Sequence, residues 1–149
     1  FFCSPKFRMV FWFLGLVSVA VCVSVQGGSG GDGTTMTLKT AKEVKVPLIS
    51  HKSFEKTIQS APLVLVDFFI PPCSHCNDFD PEYRTAASWL ADKPVKLVKI
   101  NCFSSHKVCD KFDVQGYPTI LSFKQGELLG NYGGQRMARD VYNYVLKNL

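Results

Sequence analysis

The chain has 149 residues, 46% of them apolar and 19% charged, and a formal net charge of +5. That length suits one globular core and leaves little room for two, and an apolar share of that size with 12 Phe excludes a disordered or collagen-like chain. The basic residues are scattered and often sit beside acids, as in Lys42-Glu43 and Asp110-Lys111, without a run of basic and aromatic residues, which argues against nucleic-acid binding.

In chain order, Lys6 and Arg8 precede an apolar run from Met9 to Val25, followed by Gln26, Gly27 and Gly28. This is the layout of a signal peptide, expected over residues 1–26. A run of about 17 residues is at the lower limit for crossing a bilayer, so membrane attachment is expected only if this segment stays uncleaved. Its removal takes Lys6 and Arg8 away and lowers the net charge from +5 to +3. Residues 27–37 are rich in Gly and Thr, bury too little apolar area to offset ordering, and read as a flexible leader. The folded domain is expected over 38–149.

Within it, Val44 to Ile49 is a candidate strand, and Ser50 or His51 can start a helix with Phe54, Ile58 and Ala61 on one face, closed by Pro62. Leu63 to Ile70 is apolar on both faces except for Asp67, as a central strand covered on both sides requires. Pro71-Pro72 stops it. Phe79, Tyr83, Ala86, Ala87 and Leu90 then recur at helical spacing, so Cys73 to Leu90 reads as a helix that Pro81 should kink. Val95 to Cys102 is the next strand and Lys107 to Phe112 a short helix. Thr119 to Phe123 and Glu127 to Tyr132 form a hairpin around Gln125-Gly126, and Arg136 to Leu149 a final helix. The order is βαβαβαββα, an α/β domain.

The strongest chemical signal is Cys73-Ser74-His75-Cys76, a CxxC pair just after a buried strand and at the start of a helix. Two intervening residues let the sulfurs meet across one turn, while free N–H groups and the helix dipole stabilise a thiolate on the first. Cys73 is thus the expected nucleophile, its thiol lowered from roughly 8.5 into a range of about 3.5 to 7.5. His75, in the same turn, can stabilise that thiolate and make the couple more oxidising. The competing readings are a plain structural disulfide, or half of a zinc site completed by Cys102 and Cys109; structural zinc normally takes two tight pairs, and Cys102 and Cys109 are too far apart for one. A structural disulfide is the better reading for Cys102 and Cys109, closing a loop of about eight residues worth roughly 2.5 kcal/mol, with a second redox couple as its rival.

Asp67 would be desolvated in its strand and its pKa raised unless it is paired. It is either a hydrogen-bonded strand residue or, six residues before Cys73, the acceptor of the proton that a buried Cys76 must lose to resolve a mixed disulfide. Lys99 alternates with Val95 and Leu97, so it points either inward toward Asp67 or out to solvent. Pro118, after Gly116-Tyr117, begins a strand, one of the few places in a sheet open to proline.

Val66-Asp67-Phe68-Phe69-Ile70-Pro71-Pro72-Cys73-Ser74-His75-Cys76, Pro81-Glu82-Tyr83 and Gly116-Tyr117-Pro118-Thr119 together resemble the protein disulfide isomerase family, over residues 44 to 147 or so. The resemblance implies a thioredoxin fold, a mixed central sheet with flanking helices. It also implies a cis Pro118 that, with Tyr117, faces the cysteine pair and guides an extended substrate segment. It supports Asp67 and Lys99 as a buried pair, and Cys102 with Cys109 as a structural disulfide. Arg136, which by itself reads as a helix-starting surface residue, falls where family members carry an arginine able to swing toward the active site and lower the resolving thiol's pKa. Three residues depart from the family pattern: Pro72 in place of an aromatic, Ser74 in place of Gly, and Asn77 in place of Lys, each on the substrate face.

The implied activity is thiol-disulfide exchange through Cys73 and Cys76, forming, reducing or rearranging disulfides in cysteine-containing client proteins. Glutathione or an upstream oxidase would be the redox partner, and no bound cofactor or metal is needed. The alternatives are a non-catalytic chaperone or binding module, and a zinc-dependent adaptor. The signal segment points to the secretory pathway and the endoplasmic reticulum lumen. The ending Lys147-Asn148-Leu149 differs from the acidic retention tetrapeptide, which leaves secretion open.

Overall fold

The computed structural model describes residues 44–149; the expected signal segment (1–26), leader (27–37) and first residues of the domain lie outside the described residues. The elements follow the expected order: β1 (Leu48–Ile49), α1 (Phe54–Ile58), β2 (Leu63–Phe69), α2 (Ser74–Trp89), β3 (Val95–Asn101), α3 (His106–Lys111), β4 (Thr119–Lys124), β5 (Glu127–Asn131) and α4 (Ala138–Asn148). The five strands form one mixed sheet in the order β1-β3-β2-β4-β5. β3 runs parallel to both β1 and β2, while β4 is antiparallel to β2 and to β5.

β2 is central, and its alternation sorts the core into two layers. Leu63 and Leu65 face Phe79, Tyr83 and Ala86 of α2 and Val141 and Val145 of α4. Val64, Val66 and Phe68 face the opposite way, with Phe54 of α1 and Val108 and Cys109 of α3. In that second layer Phe54 packs on Phe68, Phe112 and Phe123 with ring centroids 6.3, 5.5 and 5.6 Å apart, the tilted and edge-on contacts that aromatic quadrupoles favour. The Gln125-Gly126 turn joins β4 to β5 with both residues at positive φ, 54° and 89°, which matches the twist of a two-residue hairpin.

Three elements start two or more residues later than expected of the sequence. β1 is two residues instead of Val44 to Ile49, because Pro47 has no N–H for a ladder; its carbonyl still accepts from Lys99 N at 2.9 Å. α1 starts at Phe54, since Ser50 and Ser53 bond one another in a turn: Ser53 Oγ donates to Ser50 O at 3.1 Å and accepts from Ser50 N at 3.2 Å. α4 starts at Ala138, not Arg136, because the Glu82 carboxylate of α2 accepts from Ala138 N at 2.7 Å while Met137 stays extended.

Candidate active site

The C-terminal ends of β2 and β3 and the start of β4 meet at one end of the sheet. Phe68 pairs with Ile100 and with Thr119, so the chain leaving β2 toward Cys73, the chain leaving β3 toward Cys102, and Pro118 just before β4 emerge there together. Cys73 is the N-cap of α2, in extended conformation, and its sulfur accepts from Cys76 N at 3.1 Å. A free N–H at a helix start donating to sulfur favours negative charge there. Cys73 is part-exposed whereas Cys76, facing inward one turn on, is 2% exposed; the two are joined as a disulfide with Cα atoms 5.2 Å apart. His75 sits in the first turn and is exposed.

Cys102 and Cys109 form a second disulfide, Cα–Cα 5.8 Å, tying the end of β3 to the middle of α3 with both residues buried. Among the described residues no three metal-ligating side chains cluster.

On the α2 side of the sheet, Asp67 is fully buried and neither carboxylate oxygen has a hydrogen-bond partner. Burial pushes its carboxyl from 3.8 up to about 6, against the opposing pull of the Lys99 ammonium and with a further push from Asp80. Asp67 and Lys99 are register partners across β2 and β3, and Lys99 points inward with 13% of its side chain exposed. Its ammonium lies 3.7 Å from Asp67 Oδ2, beyond hydrogen-bond reach, and makes its close contact with Asp80 Oδ1 of α2. It also lies 4.5 Å over the Phe69 ring. The buried pair expected of Asp67 and Lys99 is therefore a three-group cluster in which the lysine is shared unequally.

The Tyr117-Pro118 peptide bond is cis and Pro118 is buried. Tyr117, Pro118, Thr119, Gly133, Gly134 and Arg136 line an open cleft of about 430 Å³. Gly134 is needed here: a Cβ on it would come within 2.5 Å of the Tyr132 hydroxyl, which donates to Gln135 O at 2.6 Å and folds the segment that carries Arg136. Arg136 is exposed, and its positive charge lowers the Asp67 carboxyl, the weakest of the influences on that group.

The thioredoxin family model matches residues 45–147. The chain belongs to the thioredoxin family. Its curated relatives include a probable protein disulfide-isomerase ER-60 of Schistosoma mansoni, 38% identical over 68% of this chain and 22% of that protein, and protein disulfide-isomerase A3 of Gallus gallus, 41% identical over 66% and 20%. The chain thus spans about a fifth of the length of the curated relatives it matches. Among solved structures it resembles the J-Trx1 fragment of ERdj5, with a TM-score of 0.63 and 25% identity over 68% of this chain and 50% of that one. It also resembles zinc-bound human ERp44, with a TM-score of 0.66 and 17% identity over 69% and 31%.

Two residues of this thioredoxin domain join the site without having been expected there. Asp80 lies one turn after Cys76 and also bridges Arg84 at 2.7 Å; its signal is the four-residue spacing Cys76-Asp80-Arg84 along one helix face. Glu82, which fixes the start of α4, has no local signal because its partner is 56 residues away.

Proposed function

We propose that this thioredoxin domain is a thiol-disulfide oxidoreductase and isomerase acting on cysteine-containing client proteins. The observation that carries the reading is the asymmetry of one disulfide: an accessible sulfur that caps α2 and accepts a backbone N–H, joined to a buried one. In the oxidising direction a client thiolate attacks Cys73, the Cys73–Cys76 bond breaks, and Cys76 leaves as a thiolate. A second client thiolate then displaces Cys73 from the mixed disulfide, leaving an oxidised client and a reduced pair. In isomerisation the Cys73 thiolate attacks a wrong client disulfide, and Cys76 can release the trapped complex by forming the Cys73–Cys76 bond again.

Each side chain has a part in that cycle. Cys73 is the nucleophile and Cys76 the resolving thiol, with His75 an additional stabiliser of the Cys73 thiolate in the helix's first turn. Asp67, buried beside Lys99, accepts the Cys76 proton, and Arg136 supplies positive charge from the adjacent segment. Tyr117 and Pro118 receive an extended client segment, while the buried Cys102–Cys109 bond is structural. Glutathione or an upstream oxidase recharges the pair. The apolar segment at residues 9–25 and two disulfides favour an oxidising compartment of the secretory pathway, the endoplasmic reticulum lumen first among them.

The test is trapping. Cys76→Ala in the full chain should accumulate a mixed disulfide between Cys73 and a reduced, scrambled client, and the unmodified protein should speed recovery of that client's native disulfides. Absence of both the trapped complex and the acceleration would leave a non-catalytic binding module as the better account.

A further inference from the structure

The Lys99 ammonium has two carboxylates within 4 Å and hydrogen-bonds only one of them, Asp80. Asp80 is 21% exposed on its side chain and holds Lys99 and Arg84 together, while the deeper Asp67 has no hydrogen bond and meets Lys99 only at 3.7 Å. A buried carboxylate without a hydrogen bond is a costly arrangement, and a close, hydrogen-bonded pairing of Asp67 with Lys99 would relieve it. Lys99 makes that close contact with Asp80 instead.

We infer that Asp80 is a positioning residue for the thiol chemistry: by binding Lys99 it holds that cation short of a hydrogen bond with Asp67 and keeps Asp67 a base strong enough to take the proton of Cys76. The inference rests on the proposed redox reading. The step it governs is resolution, in which the Cys76 thiol gives its proton to the Asp67 carboxylate and the Cys76 sulfur attacks Cys73. The Cys73–client bond breaks, the client leaves as a thiolate that takes a proton from solvent, and Asp67 returns its proton to solvent. Asp80 acts twice in the same direction, through its own negative charge and through the lysine it withholds. Asp67 is faced by Lys99 from β3, Asp80 and the Tyr83 hydroxyl from α2, and Arg136 from the segment before α4; its β4 partner, Ile120, is uncharged. Tyr83 donates to Leu65 O at 2.9 Å and stays neutral.

The experiment mixes reduced protein with an aromatic disulfide, dithiobis(nitrobenzoate), and follows release of the second thiolate, the resolution step, as a function of pH. Cys76→Ala identifies that phase by losing it. A carbon-13 NMR titration of the Asp67 carboxyl runs in parallel and reads the charge of Asp67 without any redox step. For Asp80→Asn we expect the Asp67 titration and the inflection in the resolution rate to move together to lower pH by about one unit. The rate should also fall roughly threefold above neutrality, because a weaker base drives proton transfer less, so the two pH profiles cross. Asp80→Ala should move both the same way, and a merely structural role would produce no crossing. Coincident titrations of Asp67 in wild type and both variants would overturn the inference, as would a moved titration with an unmoved resolution profile. Absence of a second phase in the wild type would instead overturn the redox reading, leaving the NMR titration to decide whether Asp80 controls Asp67.

Discussion

The two disulfides emerge from the same end of the same sheet and differ in almost every property that governs reactivity. Cys73–Cys76 presents one part-exposed sulfur, on the N-cap of a 16-residue helix, and lies on the face that carries Asp67, Lys99 and Asp80. Cys102–Cys109 is buried at both ends, joins a strand to the middle of a six-residue helix, and lies in the apolar layer with the phenylalanine cluster. The bond type is shared. What separates a reactive pair from an inert one is access for an attacking thiolate and a place to put charge and protons when the bond opens.

The largest effect should come from breaking the first pair at its accessible sulfur. Cys73→Ser should abolish exchange with clients, whereas Cys102→Ser with Cys109→Ser should leave the rate within a few fold; insulin reduction by both proteins compares them directly. Next is Asp67→Asn, which removes the proposed proton acceptor and should slow resolution by roughly 100-fold while leaving attack by Cys73 intact in stopped-flow mixing.

The same substitution has a second signature in stability. The native Asp67 carboxyl titrates at about 6 against 3.8 in the unfolded chain, so the native state holds this proton more tightly. The stability linked to the protonated form is fully present below pH 4 and is lost as pH rises through 6. Asp67→Asn should therefore flatten that pH dependence and raise stability at pH 8 by as much as about 3 kcal/mol, measured by urea unfolding between pH 4 and 8.

A smaller effect belongs to the second disulfide. Removing it should cost roughly 2.5 kcal/mol by the loop-entropy argument, seen as a lower urea midpoint with activity retained at low urea. Smallest is Glu82→Gln, which weakens the acceptor at Ala138 N and should cost about 1 kcal/mol and loosen the segment carrying Arg136, visible as faster amide exchange at Ala138.

Much of this arrangement is legible in the sequence. The two-sided apolar run from Leu63, the turn residues Gln125-Gly126 and the helical spacing from Phe79 to Leu90 each carry a local physical cause, and the order of elements follows from them. Cys73, Cys76 and Asp67 are legible for the same reason: each is an exception within a regular pattern. The contact between Lys99 and Asp80 is not, because it depends on which way α2 rolls over β3, a matter of tertiary packing. The start of α4 depends on Glu82 in another helix, and the shortened β1 on where a single proline falls.

The most direct test of the contrast is a redox titration of both pairs in one sample, equilibrated against glutathione buffers and read by mass spectrometry of alkylated cysteines. The account predicts two separate transitions, with Cys73–Cys76 opening at a potential above about −230 mV and Cys102–Cys109 remaining closed to below about −300 mV. A single shared transition, or one in which Cys102–Cys109 opens first, would contradict it.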